Sequence, residues 1–156
     1  MVWIFLMPLT SCGQSGTGNN NSNIGQYVGS TPCDSLIKSM IGISASVPCE
    51  FMKWKLEILE NGQGSFYLRI KYGMTEPNTN GFQYGGTEKK ITGKFSIEKG
   101  KASDAGSRIY YFRSPELAAP LVLVELNKDV LHFADKSNTL LIGNGGWGYV
   151  LNRQLQ

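Results

Sequence analysis

Three cysteines, five methionines and one histidine are the side chains of this chain best suited to soft-ligand or thiol chemistry. Thiolate and thioether sulfur together select Cu(I). Cys49-Glu50-Phe51-Met52 is a Cys-x-x-Met, with Met40, Met74 and His132 as further candidate ligands. Packing competes with that reading: Met52 opens a segment whose even positions are all apolar, and thioethers fill cores well. His132 lies between Leu131 and Phe133 in an alternating strand, and no Gly-x-Ser-x-Gly elbow occurs. Gly143-Asn144-Gly145-Gly146-Trp147-Gly148 fits the spacing of a dinucleotide loop. That loop needs a helix behind it to receive the pyrophosphate, and the residues after it read as a strand. A turn is the better reading. We expect no enzyme and no cofactor, with copper at Cys49, Met52 and His132 the remaining metal possibility.

Cys12 carries a different chemistry. Residues 2–9 are apolar apart from Pro8, too short a run to span a bilayer but long enough for a signal peptide. Leu9-Thr10-Ser11-Cys12 resembles a bacterial lipobox, which implies cleavage after Ser11 and acylation of Cys12 by thioether-linked diacylglycerol and palmitate. Small side chains at Thr10 and Ser11 suit a protease cleft. No Lys or Arg precedes Cys12, a departure that a start codon placed too far downstream explains. Residues 1–11 are therefore expected to be a signal peptide, and residues 12–24, rich in Gly, Asn and Ser, a flexible tether. The resemblance implies a lipid-anchored protein of the bacterial envelope, at the outer membrane and facing the periplasm. An oxidising compartment favours a disulfide between Cys33 and Cys49, worth about 3 kcal/mol through the unfolded chain; two separate buried thiols are the alternative.

Residues 25–156 fit one domain. Hydrophobic residues make up 41% of the chain and aromatics 11%, enough for a real core. The 15 basic and 12 acidic residues form no dense cationic block, so nucleic acid is not an expected partner.

The elements are mostly strands. Met52-Lys53-Trp54-Lys55-Leu56-Glu57-Ile58 alternates apolar and charged residues, and Phe66-Tyr67-Leu68-Arg69-Ile70-Lys71-Tyr72 does so again after Asn61-Gly62-Gln63-Gly64. The pair predicts an antiparallel hairpin. Ile91, Gly93, Phe95 and Ile97 mark a third inward face. Shorter strands are expected at 108–113, 121–126, 130–133, 140–142 and 149–153. Thr31-Pro32-Cys33-Asp34 predicts a helix capped by Thr31 with Pro32 in its first turn, and Gly42 ends it. Tyr67, Tyr84, Tyr110 and Phe112 are candidates for an exposed aromatic surface. Together these spacings predict an all-β fold: a small antiparallel barrel of about eight strands with one short N-terminal helix plugging an end.

Tyr27-Val28-Gly29-Ser30-Thr31-Pro32-Cys33, behind the lipobox, resembles the start of the NlpE-type copper-homeostasis and envelope-stress lipoproteins, whose domain is a lipocalin-like barrel. The ending from Leu141 to Arg153 is similar to that family's closing strand. The family's Cys-x-x-Cys places its second cysteine at Leu36 or, aligned on Cys49, at Met52. One cysteine is missing either way, so copper binding and thiol sensing are not carried over. The resemblance implies a non-enzymatic sensing or binding lipoprotein with an envelope protein as partner. Two other roles fit a barrel: a carrier of a small apolar ligand in its interior, and a periplasmic protein-interaction or inhibitor module acting through loops such as 74–86.

Overall fold

The computed structural model describes residues 22–60, 63–100 and 107–155. Residues 1–21, with the segment read as a lipobox and Cys12, and Asn61-Gly62 of the expected turn lie outside the described residues. Eight strands follow one another around a closed antiparallel barrel: β1 (Ser22–Pro32), β2 (Phe51–Glu60), β3 (Ser65–Gly73), β4 (Thr87–Lys99), β5 (Arg108–Arg113), β6 (Leu121–Asn127), β7 (Val130–Ala134) and β8 (Val150–Arg153). Each strand pairs with its sequence neighbour, and β8 returns to β1 through Tyr27↔Arg153 and Val28↔Asn152. Closure gives every strand a hydrogen-bonded neighbour on both sides over part of its length.

The hairpin reading holds residue by residue. Trp54 faces Ile70, Leu56 faces Leu68 and Ile58 faces Phe66, all six buried on the inner face. β1 is not among the expected strands, and it begins at Ser22, inside the span read as tether. The segment 140–142 is not a strand; only Leu140 bridges to Ala134, and Ile142 is 93% exposed. Eight strands are thus reached with β1 gained and 140–142 lost.

Two glycines let neighbouring strands approach. A Cβ at Gly29 would lie 2.2 Å from the Val150 carbonyl oxygen, and one at Gly93 would lie 2.1 Å from that of Arg113. Ile97 shares the inward parity of Ile91 yet is 41% exposed. Pairing with β3 ends at Lys94, so among the described residues the last stretch of β4 is paired with β5 alone.

The interior is packed with bulky side chains. Trp54 packs on Phe133 with centroids 4.8 Å apart, and Phe66 meets Phe112 edge-on at 5.1 Å. Trp54 Nε1 donates to Thr31 Oγ1 at 2.9 Å, satisfying both polar groups inside the wall.

The helix α1 (Ser35–Met40) is capped three residues later than expected. Pro32 ends β1, the Thr31 hydroxyl is committed to Trp54, and Asp34 is the cap: its Oδ1 accepts from the Ile37 N–H at 2.9 Å. Gly42 takes φ +66°, and the Ile43 N–H returns to the Lys38 carbonyl at 2.8 Å, closing a Schellman turn. Ile37 and Ile41 are fully buried in the barrel core, so α1 plugs its end.

Candidate recognition surface at the loop end

Strand directions place the long connections together. Segments 33–50, 74–86, 114–120 and 135–149 all emerge where β1 ends and β2 begins, whereas Ser22 and the turn between β6 and β7 lie at the opposite end. The chain therefore enters the barrel at one end and displays its loops at the other.

The loop end is held by several unrelated bonds. A disulfide joins Cys33 to Cys49 with Cα atoms 5.6 Å apart, locking the segment that contains α1. The mostly buried Lys38 donates from Nζ to the carbonyls of Val47 at 2.8 Å and Ala45 at 3.3 Å. Those carbonyls take up a cation that burial would otherwise penalise. The Tyr149 hydroxyl donates to Asp34 Oδ2, joining α1 to the start of β8. Burial first, and that carboxylate second, push the Tyr149 phenol far above its ordinary value of 10.0.

Outside the wall three rings stack. Phe51 has the outward parity of Lys53 and Lys55, yet it is almost fully buried. Phe82 covers one side with centroids 4.3 Å apart, and Trp147 lies at 4.8 Å with its ring plane 4° from that of Phe51. Lys53 Nζ sits 5.8 Å from the Phe51 centroid and 5.7 Å from that of Phe82, a cation–π arrangement. The stack binds loop 74–86 and loop 135–149 to the same point on β2.

Loop 74–86 is braced by backbone and side-chain hydrogen bonds. The Thr75 N–H donates to Glu50 Oε2 at 2.8 Å, and the Gln83 N–H to the Met74 carbonyl at 2.9 Å. Tyr84, between the Thr75–Phe82 bridge and β4, has φ +55° and ψ +24° and is fully exposed. A non-glycine residue in this left-handed region costs about 1–2 kcal/mol. The braced loop holds an aromatic side chain in water at that cost. Ile142 on the neighbouring loop and Leu36 on α1 are also exposed at this end.

The opposite end has a polar network instead. Arg108 makes a two-pronged contact with Glu125, at 3.0 and 2.9 Å, and the buried Tyr110 hydroxyl donates to Glu125 Oε2 at 3.0 Å.

The sequence candidates fall in separate places. Cys33 and Cys49 form the disulfide, Met52 is buried in the core, and His132 is on the face of β7 opposite the core residues Leu131 and Phe133. The proposed copper ligands are not brought together, and among the described residues no three His, Cys, Asp or Glu side chains cluster as a metal site would require. Met40 is half-buried against the core, and Met74 starts the tip loop. The aromatic surface needs correction. Tyr110 and Phe112 point inward and are fully buried; Tyr111 takes the outer side of β5 and donates to Asn138 Oδ1 at 3.1 Å. Their parity was open to either reading, because RIYYFR is apolar on both faces. Tyr67 is half-buried on the outer wall, and Tyr84 alone of the four stands free.

The glycine-rich run is a turn: Asn144 Oδ1 accepts from the N–H groups of Gly146 and Trp147, both at 2.9 Å, and β8 follows. The sequence reading missed the Phe51–Phe82–Trp147 stack. Its signal was present, since Phe51 is an apolar residue on the charged face of β2. No family model, curated protein or solved structure matches the chain.

Proposed function

We propose that this protein is a non-enzymatic, lipid-anchored binding module of the bacterial envelope that recognises a protein partner through its loop end. The observation carrying this reading is Tyr84, an unstacked aromatic side chain held in solvent by a braced loop in a costly backbone conformation. Tyrosine anchors are over-represented where binding energy concentrates. Acylation at Cys12 would act at the end opposite these loops, leaving them clear of the anchor. The likeness of residues 27–33 to NlpE-type lipoproteins supports a sensing role; copper is no part of it, since the Cys49 sulfur is in a disulfide.

The bulky inner face supports recognition over carriage. Trp54, Phe66, Tyr110, Phe112 and Phe133 occupy the barrel interior, and an eight-stranded barrel is just wide enough for side chains to fill. The test is a photo-crosslinking residue placed at Tyr84, and separately at Thr92 on the outer wall, in the acylated full chain in its own cells. A discrete adduct from position 84 that disappears with Ile142→Ser, and none from 92, is expected. Identical adducts from both positions, or none at 84, would overturn the reading. A stoichiometric apolar ligand in the natively purified protein would replace it with a carrier.

A further inference from the structure

The outer wall of β2, β3 and β4 places like charges directly opposite one another. Lys55 faces Arg69, and Arg69 in turn faces Lys90, giving three cations in one row across three strands. Lys53 faces Lys71 in the next row, and Lys94 faces Arg113 where β4 meets β5. Directly opposed like charges destabilise a sheet. Lys53 is engaged by the Phe51 and Phe82 rings and Arg113 by Ser96 Oγ and the Tyr111 ring, whereas the row of Lys55, Arg69 and Lys90 points away from the core.

Local carboxylates offset the row only in part. Glu88 is shared between Lys90 at 3.2 Å and Arg69 at 3.8 Å, and Glu57 reaches Lys55 at 3.8 Å. Arg69, Glu88 and Lys90 are exposed and Lys55 and Glu57 partly so, so the ion pairs are weak and salt-screened. Six of the 15 Lys and Arg residues, Lys53, Lys55, Arg69, Lys71, Lys90 and Lys94, thus share this wall with Glu57 and Glu88, although the sequence holds no linear basic run.

We propose that this wall is an electrostatic docking face for an anionic phospholipid surface. Charge complementarity carries the assignment. A row of cations on the outer wall suits a surface of phosphate headgroups, to which each Lys or Arg near the surface contributes about a fivefold gain in partition. An acyl chain on Cys12 would supply the proximity, since the stretch to Ser22 can reach at most about 35 Å. Docked on this wall, the barrel lies on its side and its loop end opens parallel to the bilayer. The charge argument does not depend on the loop-end reading.

The test uses the full chain carrying Cys12→Ser, so that no acyl chain contributes. Binding to vesicles mixing phosphatidylglycerol with phosphatidylcholine is expected, falling with added salt, with none to phosphatidylcholine alone. The Lys55→Gln, Arg69→Gln, Lys90→Gln triple variant should lose on the order of a hundredfold in partition. Its melting temperature should be unchanged or higher, since repulsion is removed. Lys128→Gln with Lys136→Gln, away from this wall, should bind as the parent does. Equal binding by the triple variant and the parent would overturn the proposal, as would a parent that ignores anionic vesicles. Retention by soluble polyphosphate without vesicle binding would overturn the bilayer as the occupant.

Discussion

Arg153, near the end of the last strand, donates from Nη2 to the Tyr27 hydroxyl on the first strand at 2.7 Å, and its guanidinium lies 5.1 Å from the Tyr27 ring centroid. The same side chain reaches the carbonyls of Ile24 at 2.8 Å and Lys128 at 3.0 Å. One residue thereby joins β1, β8 and the β6–β7 turn where the barrel closes. β8 contributes only four residues, so side-chain bonds must supplement its short ladder.

Arg153→Ala should therefore destabilise the fold by about 2–3 kcal/mol, since hydrogen bonds to a charged group are each worth about 1.5–3. Arg153→Lys should recover less than half, because an ammonium cannot reproduce the planar fork. Urea unfolding with a constant slope would report both values.

Opening the Cys33–Cys49 bond should cost about 3 kcal/mol, set by its 16-residue sequence separation. The barrel strands should survive, because the bridge spans only the plug segment. Hydrogen exchange should then quicken in α1 and residues 43–50, with β2 and β3 still protected. Uniform loss of protection would show that the bridge supports the whole barrel.

How much of this could be read in advance follows from which physical signal each element carries. β2 and β3 alternate apolar and charged residues, so parity alone fixed their inner faces. β5 was ambiguous because Ile109, Tyr111 and the inward Tyr110 and Phe112 are all apolar, and only the register with Leu121 to Val124 decides between them. The helix cap was misplaced because Thr31 and Asp34 are both good caps; the choice fell to Trp54, which takes the Thr31 hydroxyl from a distant strand. The basic wall was invisible for the same reason. Its row is assembled from positions 55, 69 and 90, and adjacency across strands leaves no trace in a linear charge pattern.

Alkaline titration should separate the tyrosines. Burial raises the Tyr27, Tyr110 and Tyr149 phenols above their ordinary 10.0; the Glu125 carboxylate adds to the shift at Tyr27 and Tyr110, and that of Asp34 at Tyr149. The unfolded chain binds these protons less tightly than the folded one. Their contribution to stability is therefore complete below pH 10 and declines as pH climbs from there toward the folded values. Tyrosinate absorbance should show these three lagging the exposed tyrosines, and a loss of stability on the alkaline side. Ionisation of all seven tyrosines together in the native protein would contradict the buried network.

Tyr84 separates recognition from folding most cleanly. Its φ of +55° is easy for glycine and costly for tyrosine, and its ring buries nothing in the isolated protein. Glycine also widens the unfolded ensemble, which opposes the relief of strain. The net change for Tyr84→Gly should be within about 1 kcal/mol of zero and on the stabilising side, read as an unchanged or raised melting temperature. A residue kept only for the fold would destabilise when removed. If the loop end is the recognition surface, the same substitution should abolish co-purification of a partner captured from position 142 by crosslinking. A large destabilisation by Tyr84→Gly would mean the ring supports the fold, and the exposed aromatic would no longer argue for a partner.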